Sequence, residues 1–138
     1  MFSRKTQYAV RALLCLARNQ ESGVRYMGVR NIAAQTGIPA HWLGGIFLEL
    51  RNAGIILSTR GKHGGYRLQQ EPEKVNLTQI LSVTEYKKEV YMDSGPFDGE
   101  SVREMVDFLN PVINDLQNAR GRILDNTTLA ELLSRRLK

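Results

Sequence analysis

The sequence predicts a mainly α-helical fold with one small β-hairpin and a long helix near the C-terminus. Three observations predict it. Residues 32–43 read as two short helices meeting at Gly37. Residues 60–68, Arg60-Gly61-Lys62-His63-Gly64-Gly65-Tyr66-Arg67-Leu68, read as the tip and second strand of a basic hairpin. Apolar residues then recur at helical spacing between 102 and 123. Helix, helix, helix, hairpin is the order of a winged helix-turn-helix domain.

The first helix covers about 4–19, where Tyr8, Val10, Leu13, Leu14 and Ala17 approach the i, i+3, i+4, i+7 pattern, and Ser3 is its N-cap. Glu21-Ser22-Gly23 breaks it. A second helix covers about 29–36 and ends at Gly37. The third, about 40–53, turns Leu43, Ile46 or Phe47, and Leu50 inward and stops at Gly54. Residues 55–58 and 65–69 are short β-type runs around a glycine-rich turn. After a turn at Glu71-Pro72-Glu73, Asn76-Leu77-Thr78-Gln79 is an asparagine version of the capping box and opens a helix through Val83. Residues 86–99 are polar and read as a loop. The long helix runs from about Ser101 to Leu124. Its Val102, Val106, Leu109, Ile113, Leu116 and Ile123 follow 4-3-4-3-7 spacing, a seam for another helix. Asn110-Pro111 either bends this helix or caps and restarts it. Residues 126–133 supply a last short helix. The chain thus divides into residues 1–85, a DNA-binding winged unit, and 86–138, a loop, dimerisation helix and closing helix.

The net charge of +5 is unevenly placed. Residues 1–70 hold 10 Lys or Arg against 2 acids, whereas 71–138 hold 9 against 12. A basic half carrying the helix-turn-helix is suited to a polyanion. No apolar run is long enough to span a bilayer and no signal peptide precedes the first helix, so the expected location is cytoplasmic, associated with the nucleoid through DNA. The single cysteine, Cys15, allows neither an internal disulfide nor an all-cysteine metal cage within one chain.

The third helix would enter the major groove with its N-terminal end foremost, presenting Pro39, Ala40, His41 and Trp42, with Gly44, Gly45, Leu48, Arg51 and Asn52 off the buried face. His41 would hydrogen-bond a base edge or a phosphate. Trp42 either packs on sugar or a thymine methyl, or braces the turn as a half-buried aromatic. Gly44-Gly45 in mid-helix costs roughly 1 kcal/mol per glycine relative to alanine; it either admits a close neighbour or is tolerated drift. In the wing, Arg60, Lys62 and His63 place cationic or donor groups at a tip whose turn Gly61, Gly64 and Gly65 permit, so the loop can follow phosphates or enter a narrow minor groove. Arg4 and Lys5, at the start of the first helix, add phosphate contacts or remain solvated. The glycine loop lacks the Gly-Lys-Ser/Thr pattern of a nucleotide-binding loop. No nucleophile–base pair, paired carboxylates or metal-ligand spacing supports catalysis, so no enzyme is expected and no cofactor or metal site is assigned.

Several segments together resemble the Rrf2 family of bacterial winged-helix regulators: Ser3-Arg4-Lys5-Thr6-x-Tyr8-Ala9-Val10-x-Ala12-Leu13, the helix-turn-helix, Leu50-Arg51-x-Ala53-Gly54-Ile55, and Arg60-Gly61-x-x-Gly64-Gly65-Tyr66-x-Leu68. Thr127-Thr128-Leu129-Ala130-Glu131-Leu132 resembles the family's closing motif. The resemblance implies a homodimer, paired through the long helix, that binds inverted-repeat operators in double-stranded DNA, in most members as a repressor. Members that bind an iron–sulfur cluster carry three cysteines before the long helix; residues 86–104 here contain none. Glycines at 44 and 45 also depart from the larger side chains of many members. The alternative expectation is a protein-interaction module that keeps the fold while specific DNA binding is weak or lost. Cys15 reads as a packing residue beside the apolar stripe of the first helix rather than a redox sensor. An effector, small molecule or protein, leaves no readable mark.

Overall fold

A computed structural model describes residues 2–85 and 99–135. The elements are α1 (Arg4–Glu21), α2 (Val29–Thr36), α3 (Ala40–Asn52), β1 (Ile56–Thr59), β2 (Gly65–Leu68), α4 (Leu77–Thr84), α5 (Glu100–Asn126) and α6 (Leu129–Arg135), with one 3₁₀ turn at Pro72–Lys74. This is the mainly helical, winged helix-turn-helix order that the sequence predicts.

Local chemistry sets most boundaries. The Ser3 hydroxyl accepts the Thr6 amide and caps α1, which runs two residues past its expected end because Ser22 N–H still reaches Arg18 O. Gly37 closes α2 in the left-handed region (φ 73°), donating its N–H to Ala33 O and turning the chain toward α3. At α4 both halves of the capping box form, Asn76 Oδ1 accepting Gln79 N–H and Gln79 Oε1 accepting Asn76 N–H. The strands pair antiparallel from Ile56–Leu68 to Thr59–Gly65. They sit one residue later in β1 than expected, because Ile55 N–H is taken by Leu50 O at the end of α3.

The core lies under α1 and α3. Ala9, Leu13 and Leu16 meet Ile32, Ile38, Leu43, Phe47 and Leu50, all essentially inaccessible, and the Phe47 and Tyr66 rings lie 4.5 Å apart. The hairpin is tied to this core a second time, since Met27 and Tyr66 exchange both backbone hydrogen bonds (2.9 and 2.8 Å). That close approach requires Gly65, with φ 143° and space for a Cβ only 2.2 Å from Met27 O.

The long helix behaves differently. It is continuous through Pro111 and contributes no buried residue. Proline there removes one helical donor without bending the chain into two helices. At about 40 Å long it packs against α4, where Thr78 bonds Asp125. The chain then returns: Leu77 N–H donates to Thr127 O, Leu129 N–H to Val75 O, and Leu129 is fully buried in the winged unit's core. The polar loop expected over 86–99 lies outside the described residues except for Gly99, which precedes α5.

Candidate nucleic-acid interface

Three elements hold the candidate contact residues: the start of α1, α3 and the hairpin. On α3, Leu43, Ile46, Phe47 and Leu50 are buried, so the opposite face, with His41, Gly44, Gly45, Leu48, Arg51 and Asn52, is exposed. Lys5 on α1 forms an ion pair with Glu49 on α3, and Tyr8 meets Trp42 edge-on with centroids 6.4 Å apart. On the other side, Arg51 Nη1 donates to Ser58 Oγ at 3.3 Å, joining α3 to β1. The start of α1, the outer face of α3 and the hairpin are therefore mechanically linked.

Each residue singled out from the sequence has a definite place. Arg4 is exposed in the first turn of α1. Lys5 already has an anionic partner, so a phosphate would compete with Glu49 for it. Ala40 and His41 are exposed at the start of α3, and the imidazole sits 5.8 Å from the Trp42 ring. Trp42 braces α1 through its edge contact with Tyr8, and 49% of the residue stays open. Arg60, Lys62 and His63 are exposed at the wing tip. Gly64 is more enclosed, and a Cβ there would lie 2.4 Å from Thr59 O, so its backbone must be bare for the tip to close.

Sequence reasoning passed over several residues. Glu49 belongs to the exposed part of α3, and counting the helix phase from Leu43, Ile46 and Leu50 would have found it; Leu48, expected off the buried face, is exposed there. Arg67 points away from the tip and its guanidinium stacks over Tyr26 at 5.6 Å. On α5 the open apolar face is rotated from the expected seam. Val102, Val106 and Ile113 are partly covered, whereas Met105, Phe108, Leu109, Val112, Leu116 and Ile123 are exposed, Phe108 at 73%.

Two further groups, one acidic and one nucleophilic, are held by side-chain hydrogen bonds, Glu85 against the start of α1 and Cys15 farther along it. Glu85 Oε1 accepts from Thr6 Oγ1 and from Ser3 N–H, each at 2.6 Å, and those bonds hold its carboxyl down at about 2. Cys15 is buried on α1, its Sγ 3.5 Å from Gln35 Oε1, and burial pushes its thiol up. Beside it a cavity of about 320 Å³ opens between α1, α2 and α6, with Arg11, Arg18, Gln35 and Leu133 among its walls. Arg11 there already donates to Thr36 O, and Gln35 already accepts from Asn19.

Residues 2–135 match the family model Rrf2, described as an iron-dependent transcriptional regulator. The chain is 36% identical over 128 residues to an HTH-type transcriptional regulator of Synechocystis, covering 93% of this chain and 84% of that protein. It is 32% identical over 131 residues to the regulator NsrR of Geobacillus kaustophilus, covering 95% and 88%. Among solved structures, CymR, the global cysteine regulator of Bacillus subtilis, superposes with TM-score 0.75 at 26% identity over 98% of this chain and 97% of that one. The IscR of T. potens superposes with TM-score 0.72 at 28% identity over 99% and 88%. The donors of this chain do not fit a cysteine-held cluster: it has one cysteine, buried and bonded within α1 and α2, and two histidines, one on α3 and one at the tip of the hairpin. Among the described residues no three His, Cys, Asp or Glu converge as a metal site, and no helix is long and apolar enough to cross a membrane. The chain belongs to the Rrf2 family of helix-turn-helix transcriptional regulators.

Proposed function

We propose that this chain is a homodimeric, sequence-specific DNA-binding regulator that represses transcription from inverted-repeat operators without an iron–sulfur cluster. The observation that carries this reading is the open outer face of α3, free of Lys, Arg, Asp and Glu at His41, Gly45, Leu48 and Asn52, with Arg51 at its edge and Arg60 and Lys62 exposed on the hairpin that Arg51 contacts. Base edges flanked by phosphates have the complementary pattern. Arg4, Lys5, Ala40, His41, Trp42, His63 and Gly64 complete the contact surface. Phosphate neutralisation by the wing positions the protein, and α3 reads the groove.

The pairing surface in this reading is the exposed apolar stripe of α5. A monomer rarely leaves such a stripe in water, and a second copy related by a two-fold axis covers it with the same residues. The dimer then presents two winged units to two half-sites. Residues 1–85 act as the DNA-binding unit, and the segment 86–138 supplies the pairing helix. Catalysis has no part in this reading, and the relatives named as transcriptional regulators support that. The place of action is the cytoplasm, and any effector is a small molecule or a protein.

A second reading, an interaction module with weak or lost specific binding, draws on the bare backbone at Gly44-Gly45. Fluorescence anisotropy on duplex DNA across a salt series separates the two. The regulator reading expects affinity to fall steeply and linearly on a log–log salt plot. Binding that is absent, or indifferent to salt, supports the module.

A further inference from the structure

The groove-facing side of α3 has an unusual centre, and the role inferred for it rests on the DNA-binding reading of this chain. At 100° per residue, the direction opposite the buried Leu43, Ile46, Phe47 and Leu50 is occupied by His41, Gly45, Leu48 and Asn52, with Gly44 and Arg51 beside them. Leu48 is 50% exposed, a large apolar side chain at the middle of a face that should meet a polyanion. Leucine in a helix leans toward the N-terminus, over the residues three and four positions earlier. Here those are Gly45 and Gly44, so nothing but backbone lies beneath it.

The chain itself makes no use of the two glycines. A Cβ built on either meets nothing within 4 Å, and neither has a positive φ. They terminate no helix and admit no neighbour inside the fold. What they do allow is a close approach from outside, onto a surface formed by Leu48 over bare backbone.

The chemistry of the surroundings selects the visitor. A protein's apolar patch would bring no charges for Arg51 on the same helix, or for Arg60 and Lys62 at the exposed tip of the hairpin that Arg51 contacts, whereas DNA brings phosphates on both sides of its base edges. Among base edges, guanine calls for Arg or Lys and adenine for Asn or Gln, while the thymine C5-methyl is the apolar feature of the major groove. We propose that Leu48, seated over Gly44-Gly45, is a specificity-determining contact that packs on thymine methyl groups, the glycines letting α3 approach the bases more closely than a helix with side chains there.

The test begins with a duplex selected from a random pool by the wild-type protein. Thymines in each half-site are replaced one at a time by deoxyuridine, which removes only the methyl group. Wild-type affinity is expected to fall about 3- to 10-fold at one or more positions. Leu48→Ala should bind thymine and uracil duplexes alike while keeping its salt dependence. Gly45→Ala should melt roughly 2–6 °C higher, because alanine favours the helix, yet bind the selected duplex at least about 10-fold more weakly. Uracil duplexes that bind as tightly as thymine duplexes at every position would overturn the proposal. So would a Leu48→Ala protein that still discriminates uracil, or a Gly45→Ala protein with undiminished affinity. A pool that yields no enriched sequence would instead overturn the DNA-reading function itself, and this contact with it.

Discussion

Replacing Gly65 with alanine should detach the wing from the helix-turn-helix. The new Cβ would lie 2.2 Å from Met27 O and 2.4 Å from Met27 C, and both are backbone atoms that no rotamer change can move. Relief requires opening the Met27–Tyr66 bridge, with its two hydrogen bonds of 2.9 and 2.8 Å. Each contributes about 0.5–1.5 kcal/mol net. Holding a non-glycine residue at the φ of 143° found here adds about 1–3 kcal/mol. Together the loss is about 2–6 kcal/mol, a large part of the roughly 5–15 kcal/mol by which a domain is stable. Urea unfolding followed by far-UV circular dichroism measures it. Gly61→Ala is the internal control: its φ is also positive, 106°, but a Cβ there meets nothing within 4 Å. The difference between the two variants isolates the clash from the backbone strain. A Gly65→Ala protein within about 0.5 kcal/mol of Gly61→Ala would refute the reasoning, since it would mean the bridge to Met27 gives way at no cost.

Other perturbations have equally definite outcomes. Arg60→Ala and Lys62→Ala should each weaken binding to all duplexes and reduce the salt slope by about one, whereas changes at His41 or Trp42 should alter preference between sequences; a competition assay with the opposite assignment would displace α3 from the groove. Glu on α5 in place of Leu109, Leu116 or the more exposed Phe108 should yield monomers by light scattering and abolish tight binding. Glu85 has a folded value near 2, below the ordinary carboxylate range, so its contribution is present above that range and is lost as pH falls toward 2. The melting-temperature gap between wild type and Glu85→Gln should therefore be constant above about pH 6 and close between about pH 5 and 2. Cys15 should react with iodoacetamide far more slowly in the native protein than in urea, and Cys15→Ser should leave the peroxide response of DNA binding unchanged.

The elements that local chemistry defines were readable in the residues themselves. Gly37 stops α2 because only an achiral residue takes that left-handed position easily, and Asn76 with Gln79 opens α4 through a reciprocal bond that spans three residues. What long-range contact decides was not readable. Nothing near Lys5 announces Glu49, and nothing near Gly65 announces Met27, because each pair meets only after α1 and the hairpin have packed. The α5 face shows the same limit in another form. Spacing marks that helix as apolar on one side, but which part of the stripe stays open depends on what already covers it: Val102, Val106 and Ile113 are partly covered, and Met105, Phe108 and Val112 are open. Likewise, Leu129 could be placed on a short helix from its neighbours, but its return to the core depends on its own N–H reaching Val75 O and on Leu77 N–H reaching Thr127 O.

The most direct test of the central claim is to incubate the purified protein with fragmented genomic DNA of its source organism and sequence what it retains. A sequence-specific dimeric regulator should retain fragments that share an inverted repeat, with half-sites about one helical turn or a multiple apart. Retention of fragments with no common sequence would contradict that claim, because it would show a wing that grips phosphate beside a helix that does not read bases.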